Sequence, residues 1–173
     1  AIGGFSQASG IYSTANGRDA KAAGNGSIAF GAGATTENGT ETPVNIAIGG
    51  SSAAIAGVFA SGIQTTANGG NSIGLGTAVT STGASSIAIG GDGTDGDDDG
   101  AQATADNAVA LGADAQATMG DALAIGAGAS ATGVRTTSIG SGASATNINS
   151  FALGSTAAAT GNNASAVGAF SQA

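Results

Sequence analysis

The chain contains 173 residues with a formal net charge of −8, 33 Gly, one Pro, and neither Cys nor His. The lack of Cys and His excludes a Cys- or His-based nucleophile, general base or zinc site, and no cofactor is expected. With only three cationic side chains and 41 Ala, we expect no nucleic-acid partner, no docking on anionic lipid and no conventional core of large apolar residues.

One five-residue string recurs along the chain: a small residue, a large apolar residue, Ala, a large apolar residue and Gly. Its closing glycines stand at positions 3, 31, 49, 76, 90, 112, 126, 140, 154 and 168, and the last four gaps are each 14 residues. The other gaps resolve into 14-residue periods with one deletion before Gly62 and insertions around Glu37–Thr40 and Asp92–Asp99. These periods predict about eleven coils in one repetitive domain over residues 1–173.

Each period contains two short runs of alternating residues, which is typical of strands. We call the run that ends at the recurrent glycine the motif strand, and the following run the spacer strand; each is followed by a turn of the same name. A second recurrent glycine stands seven residues after the first, as in Gly10, Gly69 and Gly133, and we expect it to adopt positive φ. The pattern predicts an all-β parallel solenoid of ~14-residue coils with two strands each.

Alternation within the strands predicts where side chains point. In the spacer strand, small residues such as Ala115 and Ala117 flank a polar residue, Gln116, so Ala is expected to face inward. If the Ala of the motif strand also faces inward, the large residues form a double column outside the roll. The competing geometry buries the large residues inside one wider roll and permits a monomer; we favour the outward orientation, because small residues dominate the spacer strand.

The outward columns form what we call the apolar stripe. At ~4.8 Å per coil it is roughly 50 Å long, which a soluble monomer does not tolerate, so we expect identical copies to associate through it. The predicted interface consists of Ile28, Phe30, Ile46, Ile48, Ile73, Leu75, Ile87, Ile89, Val109, Leu111, Leu123, Ile125, Ile139, Phe151, Leu153 and Val167.

The repeat resembles the head repeat of YadA-like trimeric autotransporter adhesins, also called haemagglutinin repeats. The resemblance rests on strings such as Asn107–Gly112 and Asp121–Gly126, and on spacers that close on Ala-Thr-Gly, as in Ala131–Gly133. It implies a left-handed β-roll assembled as a homotrimer on the surface of a Gram-negative bacterium. It also implies binding to host extracellular-matrix proteins, host cells or one another, with any membrane anchor outside this fragment of a longer head.

The insertions are the candidate ligand-contact loops, because binding concentrates in loops on a rigid scaffold. The string from Gly90 to Asp95 also resembles the start of a calcium-binding nonapeptide, which makes Asp92, Asp95 and Asp97 candidate cation ligands, although a single copy favours a solvated acidic loop and no metal site. The loop candidates are Glu37, Asn38, Thr40, Asp92, Asp95, Asp97, Asp98 and Asp99.

Other recurrent residues have structural interpretations. Asn71, Asn107, Asn149 and Asn163 precede motif strands, where positive φ or stacking of their amides along the solenoid is expected. Phe5, Phe59 and Phe170 are predicted to lie outside or at the margin of the columns, with local packing at irregular coils as their expected role.

Several functions are compatible with a solenoid. The favoured function is a non-catalytic adhesin head, and the alternative is a passive spacer or surface coat. A left-handed β-helix acyltransferase is disfavoured by the 14-residue period and the absence of His. Ice binding needs a regular ladder of threonines, whereas the outward place in the spacer strand varies among Gln, Lys, Thr, Ser and Ala.

Overall fold

The computed structural model describes residues 1–37, 45–50, 52–55, 59–93 and 98–173. Within these ranges the chain forms an all-β parallel solenoid whose strands make two 11-stranded sheets, as the sequence predicts. Every regular element in the described ranges is a strand, so no helix there is long and apolar enough to cross a membrane.

Successive coils contribute one strand to each sheet. The motif sheet contains β2 (Thr14–Asn16), β4 (Ile28–Phe30), β6 (Ile46–Ile48), β8 (Phe59–Ser61), β10 (Ile73–Leu75), β12 (Ile87–Ile89), β14 (Val109–Leu111), β16 (Leu123–Ile125), β18 (Thr137–Ile139), β20 (Phe151–Leu153) and β22 (Ser165–Val167). The spacer sheet contains β1 (Gln7–Ala8), β3 (Lys21–Ala22), β5 (Thr35–Glu37), β7 (Ala53–Ile55), β9 (Thr66–Ala67), β11 (Thr80–Ser81), β13 (Gln102–Ala103), β15 (Gln116–Ala117), β17 (Ser130–Ala131), β19 (Ser144–Ala145) and β21 (Ala158–Ala159).

Strand register locates the irregular coils. Ile46 pairs with Phe59, and this 13-residue step places Phe59 in the first column of the motif sheet between Ile46 and Ile73. The prediction that Phe59 lies outside the columns is therefore wrong, because the shortened coil moves it into register. Thr80 pairs with Gln102, so the eight extra residues fall between two regular coils without disturbing the sheet.

The core is a thin layer of small side chains. The central Ala of nearly every motif strand is fully buried, as at Ala29, Ala110 and Ala124, and so are Ala115 and Ala117 from the spacer side. The large residues that flank these alanines lie on the opposite face of the motif sheet. The outward orientation is thus confirmed, and the wide roll with large residues inside is excluded.

Buried hydroxyl groups complete this core. The largest fully buried side chain is Val79, and many of the others are Ser or Thr. Ser81 and Ser86 share a hydrogen bond of 2.7 Å across the layer, and the Thr36 hydroxyl donates to the Ser27 Oγ at 2.9 Å. A core built almost entirely from methyl and hydroxyl groups, with Val79 and Asn45 as its largest side chains, keeps the two sheets close and leaves Leu and Ile no place except the outside.

Glycines stack the coils in two different ways. Gly112 and the other motif glycines have φ near +130°, and an added Cβ at Gly112 would lie 2.6 Å from the carbonyl of Gly126 in the next coil. The second recurrent glycine does not adopt positive φ, so that prediction is wrong. At Gly69 the requirement is space instead, because a Cβ there would lie 2.0 Å from the carbonyl oxygen of Gly83.

Positive φ in the spacer turn occurs two residues later. Asn71, Asn107, Asn149 and Asn163 occupy this place with φ between 57° and 60°, which confirms the expectation for these residues. The amides of Asn149 and Asn163 also stack along the solenoid, since the Asn149 Nδ2 donates to the Asn163 Oδ1 at 3.0 Å.

Candidate interaction surface

The outer face of the motif sheet carries the apolar stripe. Ile28 and Ile73 each expose 37% of their surface, Phe30 exposes 52%, and Val167 exposes 63%. Members such as Leu123 are half-buried by their neighbours in adjacent coils. From β10 to β16 both columns are apolar and in register from coil to coil, so the exposed apolar surface is continuous there. Ser61 in β8 and Thr137 in β18 each interrupt one column.

Polar residues replace both apolar columns in β2 and one of them in the last strand. Thr14 and Asn16 stand in register with Ile28 and Phe30, and Ser165 stands beside Phe151, whereas Val167 continues the second column beside Leu153. The stripe is a patch on one face of the roll, which is the form of an interaction surface.

The outer face of the spacer sheet is polar and contains a feature that the sequence interpretation missed. Six threonines follow one another at the C-terminal side of successive spacer strands, where their amides continue the ladder, as in the 3.2 Å bond from the Thr104 nitrogen to the Ala117 oxygen. The column consists of Thr82, Thr104, Thr118, Thr132, Thr146 and Thr160. The recurrent Ala-Thr-Gly strings are the signal that could have found it. The neighbouring outward column still mixes Gln, Ser, Thr and Ala, so the two columns do not form one regular array.

The acidic insertion lies in a motif turn, between Gly91 and Gly100. Asp92, Asp98 and Asp99 are exposed, whereas Asp95 and Asp97 lie outside the described residues. The Asp114 carboxylate of the next coil accepts a hydrogen bond of 2.8 Å from the Gly93 nitrogen. At the other end of the loop, the Gly100 nitrogen donates to the Ala78 oxygen at 3.2 Å.

Negative charge is concentrated around this loop. Residues 92–121 contain eight Asp and no Lys or Arg, so they account for the whole formal net charge of −8, and the rest of the chain is neutral. Coulombic attraction over this part of the roll favours cationic partners. No group of three acidic residues in the described ranges is arranged to hold a metal ion, and two of the three candidate cation ligands fall outside those ranges.

The other predicted loop is placed only in part. Glu37 ends strand β5 and pairs with Ile55, so the extra residues follow it rather than begin with it. Asn38 and Thr40 lie outside the described residues.

The fold and its surfaces define a repetitive β-solenoid that presents one apolar face, one polar face and an acidic loop. The sequence model of the YadA head domain repeat matches residues 1–20, 8–34, 99–115, 117–143 and 145–171. The chain therefore belongs to the YadA head family, as the resemblance of its repeat indicates. Comparison with curated proteins gives no match.

Proposed function

We propose that the chain is the head of a bacterial surface adhesin that assembles as a homotrimer through the apolar stripe. The exposure of the stripe is the observation that carries the proposal, together with membership of a family whose heads are typically homotrimeric adhesins and non-catalytic. The residues proposed for the interface are the sixteen of the stripe. Identical stripes around a common axis would cover one another and leave the polar spacer faces outward.

The energetic gain follows from the exposed fractions. Burying a large side chain completely is worth ~1.5–3 kcal/mol, and most stripe residues have already lost about 60% or more of their surface to neighbours. Assembly would therefore add ~0.5–1 kcal/mol for each residue. Over the whole stripe this amounts to ~8–16 kcal/mol per chain, which is comparable with the ~4–15 kcal/mol that association costs.

The assembly is tested by light scattering on the chain. We expect a mass of three times 15.7 kDa, and we expect the double variant Leu111→Asn with Ile125→Asn to shift the equilibrium towards monomers while its circular dichroism stays that of a β-protein. Gln116→Asn, on the polar face of the same coils, is the matched control and should leave the mass unchanged. A wild-type chain that is monomeric at micromolar concentration would refute the proposal.

Ligand contact is proposed for the insertions, with host extracellular-matrix proteins or cell-surface receptors as partners. The acidic loop is the stronger of the two, because Asp92, Asp98 and Asp99 are exposed within the most negative part of the roll. Removal of residues 92–99 restores a regular coil, so folding should persist. Loss of binding to immobilised collagen, fibronectin or laminin would support a role of the loop in ligand contact. Unchanged binding to all three proteins would exclude the loop as their binding site.

The alternative, a passive spacer or coat, predicts a trimer that binds none of these proteins. Ice binding is tested separately by thermal hysteresis, which we expect to be absent because only one of the two outward columns of the spacer sheet is a regular threonine column.

A further inference from the structure

Two bulky apolar residues protrude from neighbouring spacer turns. Val134 and Ile148 stand eight residues after a motif glycine and expose 37% and 47% of their surface. Their backbone is held in place, since the Asn149 nitrogen donates to the Val134 oxygen at 3.0 Å and the Arg135 Nε donates to the Asn149 Oδ1 at 2.8 Å. We call Val134 and Ile148 the ridge. The equivalent place holds another exposed apolar residue at Ile11, and polar or small residues in six further described coils: Asn25, Gly70, Ala84, Asp106, Gly120 and Asn162.

The opposite edge of the same coils carries two glycines at equivalent places. Gly128 and Gly142, which we call the notch, stand two residues after a motif glycine with φ of 63°. Neither backbone nor space within the chain requires glycine at these places. Asp114 and Thr156 adopt φ of 54° and 53° at the equivalent position, and a Cβ at Gly128 would meet no atom within 4 Å. At Gly142 a Cβ would meet only the Thr156 Cγ2, at 3.4 Å.

The apolar stripe determines which edges can meet. It runs along the solenoid, so copies that cover its whole length must lie side by side with their axes parallel. In a closed ring of such copies, the spacer-turn edge of one copy meets the motif-turn edge of the next at the same height. Val134 lies between Gly128 and Gly142 along the chain, half a coil from each, so the ridge and the notch fall at the same level.

We propose that the ridge of one copy packs into the notch of the neighbouring copy and closes the ring at this level. The occupant of the notch is thus a second copy of this chain, and the inference rests on the proposed homotrimer. The contact extends the interface from the faces of the motif sheets to their edges. At this register Val134 lies level with the two glycines, and Ile148 lies level with Gly142 and Thr156.

Disulfide trapping tests the contact directly, because the natural chain contains no Cys. The double variants Val134→Cys with Gly142→Cys and Val134→Cys with Gly128→Cys should yield covalent dimers and trimers on oxidation in at least one case. Within one chain the paired positions lie on opposite edges, separated by a strand that advances ~3.3 Å per residue, which is too far for a bond. The matched control is Val134→Cys with Gln64→Cys. Gln64 holds the place of the notch glycines in a motif turn several coils away, so this variant should remain uncrosslinked.

Filling the notch provides a second measurement. Asn adopts φ near 60° elsewhere in this chain, so the double variant Gly128→Asn with Gly142→Asn should fold but associate about tenfold more weakly. Asp19→Asn, at the same place in a coil outside the notch, should associate like the wild type. A trimer that neither crosslinks nor responds to the filled notch would overturn this inference alone. A monomeric wild type, or crosslinking by single-Cys variants as in a two-fold dimer, would overturn the homotrimer as well.

Discussion

Replacement of Gly112 by Ala tests whether the motif glycines hold the coils together. Gly112 has φ of 134°, outside the left-handed helical well that Asn and Asp occupy in this chain. The added Cβ would also lie 2.6 Å from the carbonyl carbon and oxygen of Gly126, which belong to the backbone of the next coil and cannot rotate away. The substitution therefore carries two independent energetic penalties, one from the backbone conformation and one from the close contact of the added Cβ.

The magnitude follows from these two terms. A non-glycine residue in such a backbone conformation costs ~1–3 kcal/mol, and forcing an extra carbon into a closely packed layer costs a further ~1–3 kcal/mol. We expect Gly112→Ala to lower the free energy of unfolding by about 2–6 kcal/mol, which is a large part of the stability of an ordinary domain.

Gly70→Ala is the matched control. Gly70 does not adopt positive φ, and a Cβ there would meet no atom within 4 Å, so we expect a change within ~0.5 kcal/mol. Both variants would be unfolded in urea at one protein concentration and followed by circular dichroism, because assembly makes the midpoint depend on concentration. Equal stability of the two variants would show that the motif glycines are not required for the stacking of adjacent coils.

Two further predictions concern the core and the turns. Ala124→Leu should destabilise the fold by ~1–3 kcal/mol because the layer has no room, whereas Ala124→Ser adds one atom and should cost less, although the Oγ of the paired Ser138 is buried without a hydrogen-bond partner; urea unfolding distinguishes them, and equal losses would argue against a thin core. Asn149→Gly keeps the turn but removes hydrogen bonds to Arg135 and Asn163, so we expect a loss of ~1–2 kcal/mol in thermal unfolding, and an unchanged midpoint would show that the ladder adds nothing.

Much of the candidate surface was predictable from the sequence because it follows from the period. Once the 14-residue repeat is known, residues such as Leu111 and Ile125 must share a column. The threonine column is just as periodic, and the recurrent Ala-Thr-Gly strings were sufficient to predict it. The sequence interpretation used only the central residue of each spacer strand. The 14-residue period could not predict the placement of Phe59, because this coil is one residue shorter than the others. Only the strand pairing of Phe59 with Ile46 and Ile73 shows where the chain returns to the register of the sheet.

The sequence by itself determined the architecture: period, strand alternation and Ala content require two parallel sheets of short strands around a layer of small residues. It did not decide which face of the motif strand is inside, because alternation with a period of two is satisfied by either choice. Only the tertiary structure decided this, through the short distance between the sheets, which admits Ala110 and Ala124 and excludes Leu and Ile. It likewise separated glycines that combine positive φ with close approach, such as Gly112, from those that serve close approach alone, such as Gly69, because a close contact depends on the neighbouring coil rather than on the local sequence.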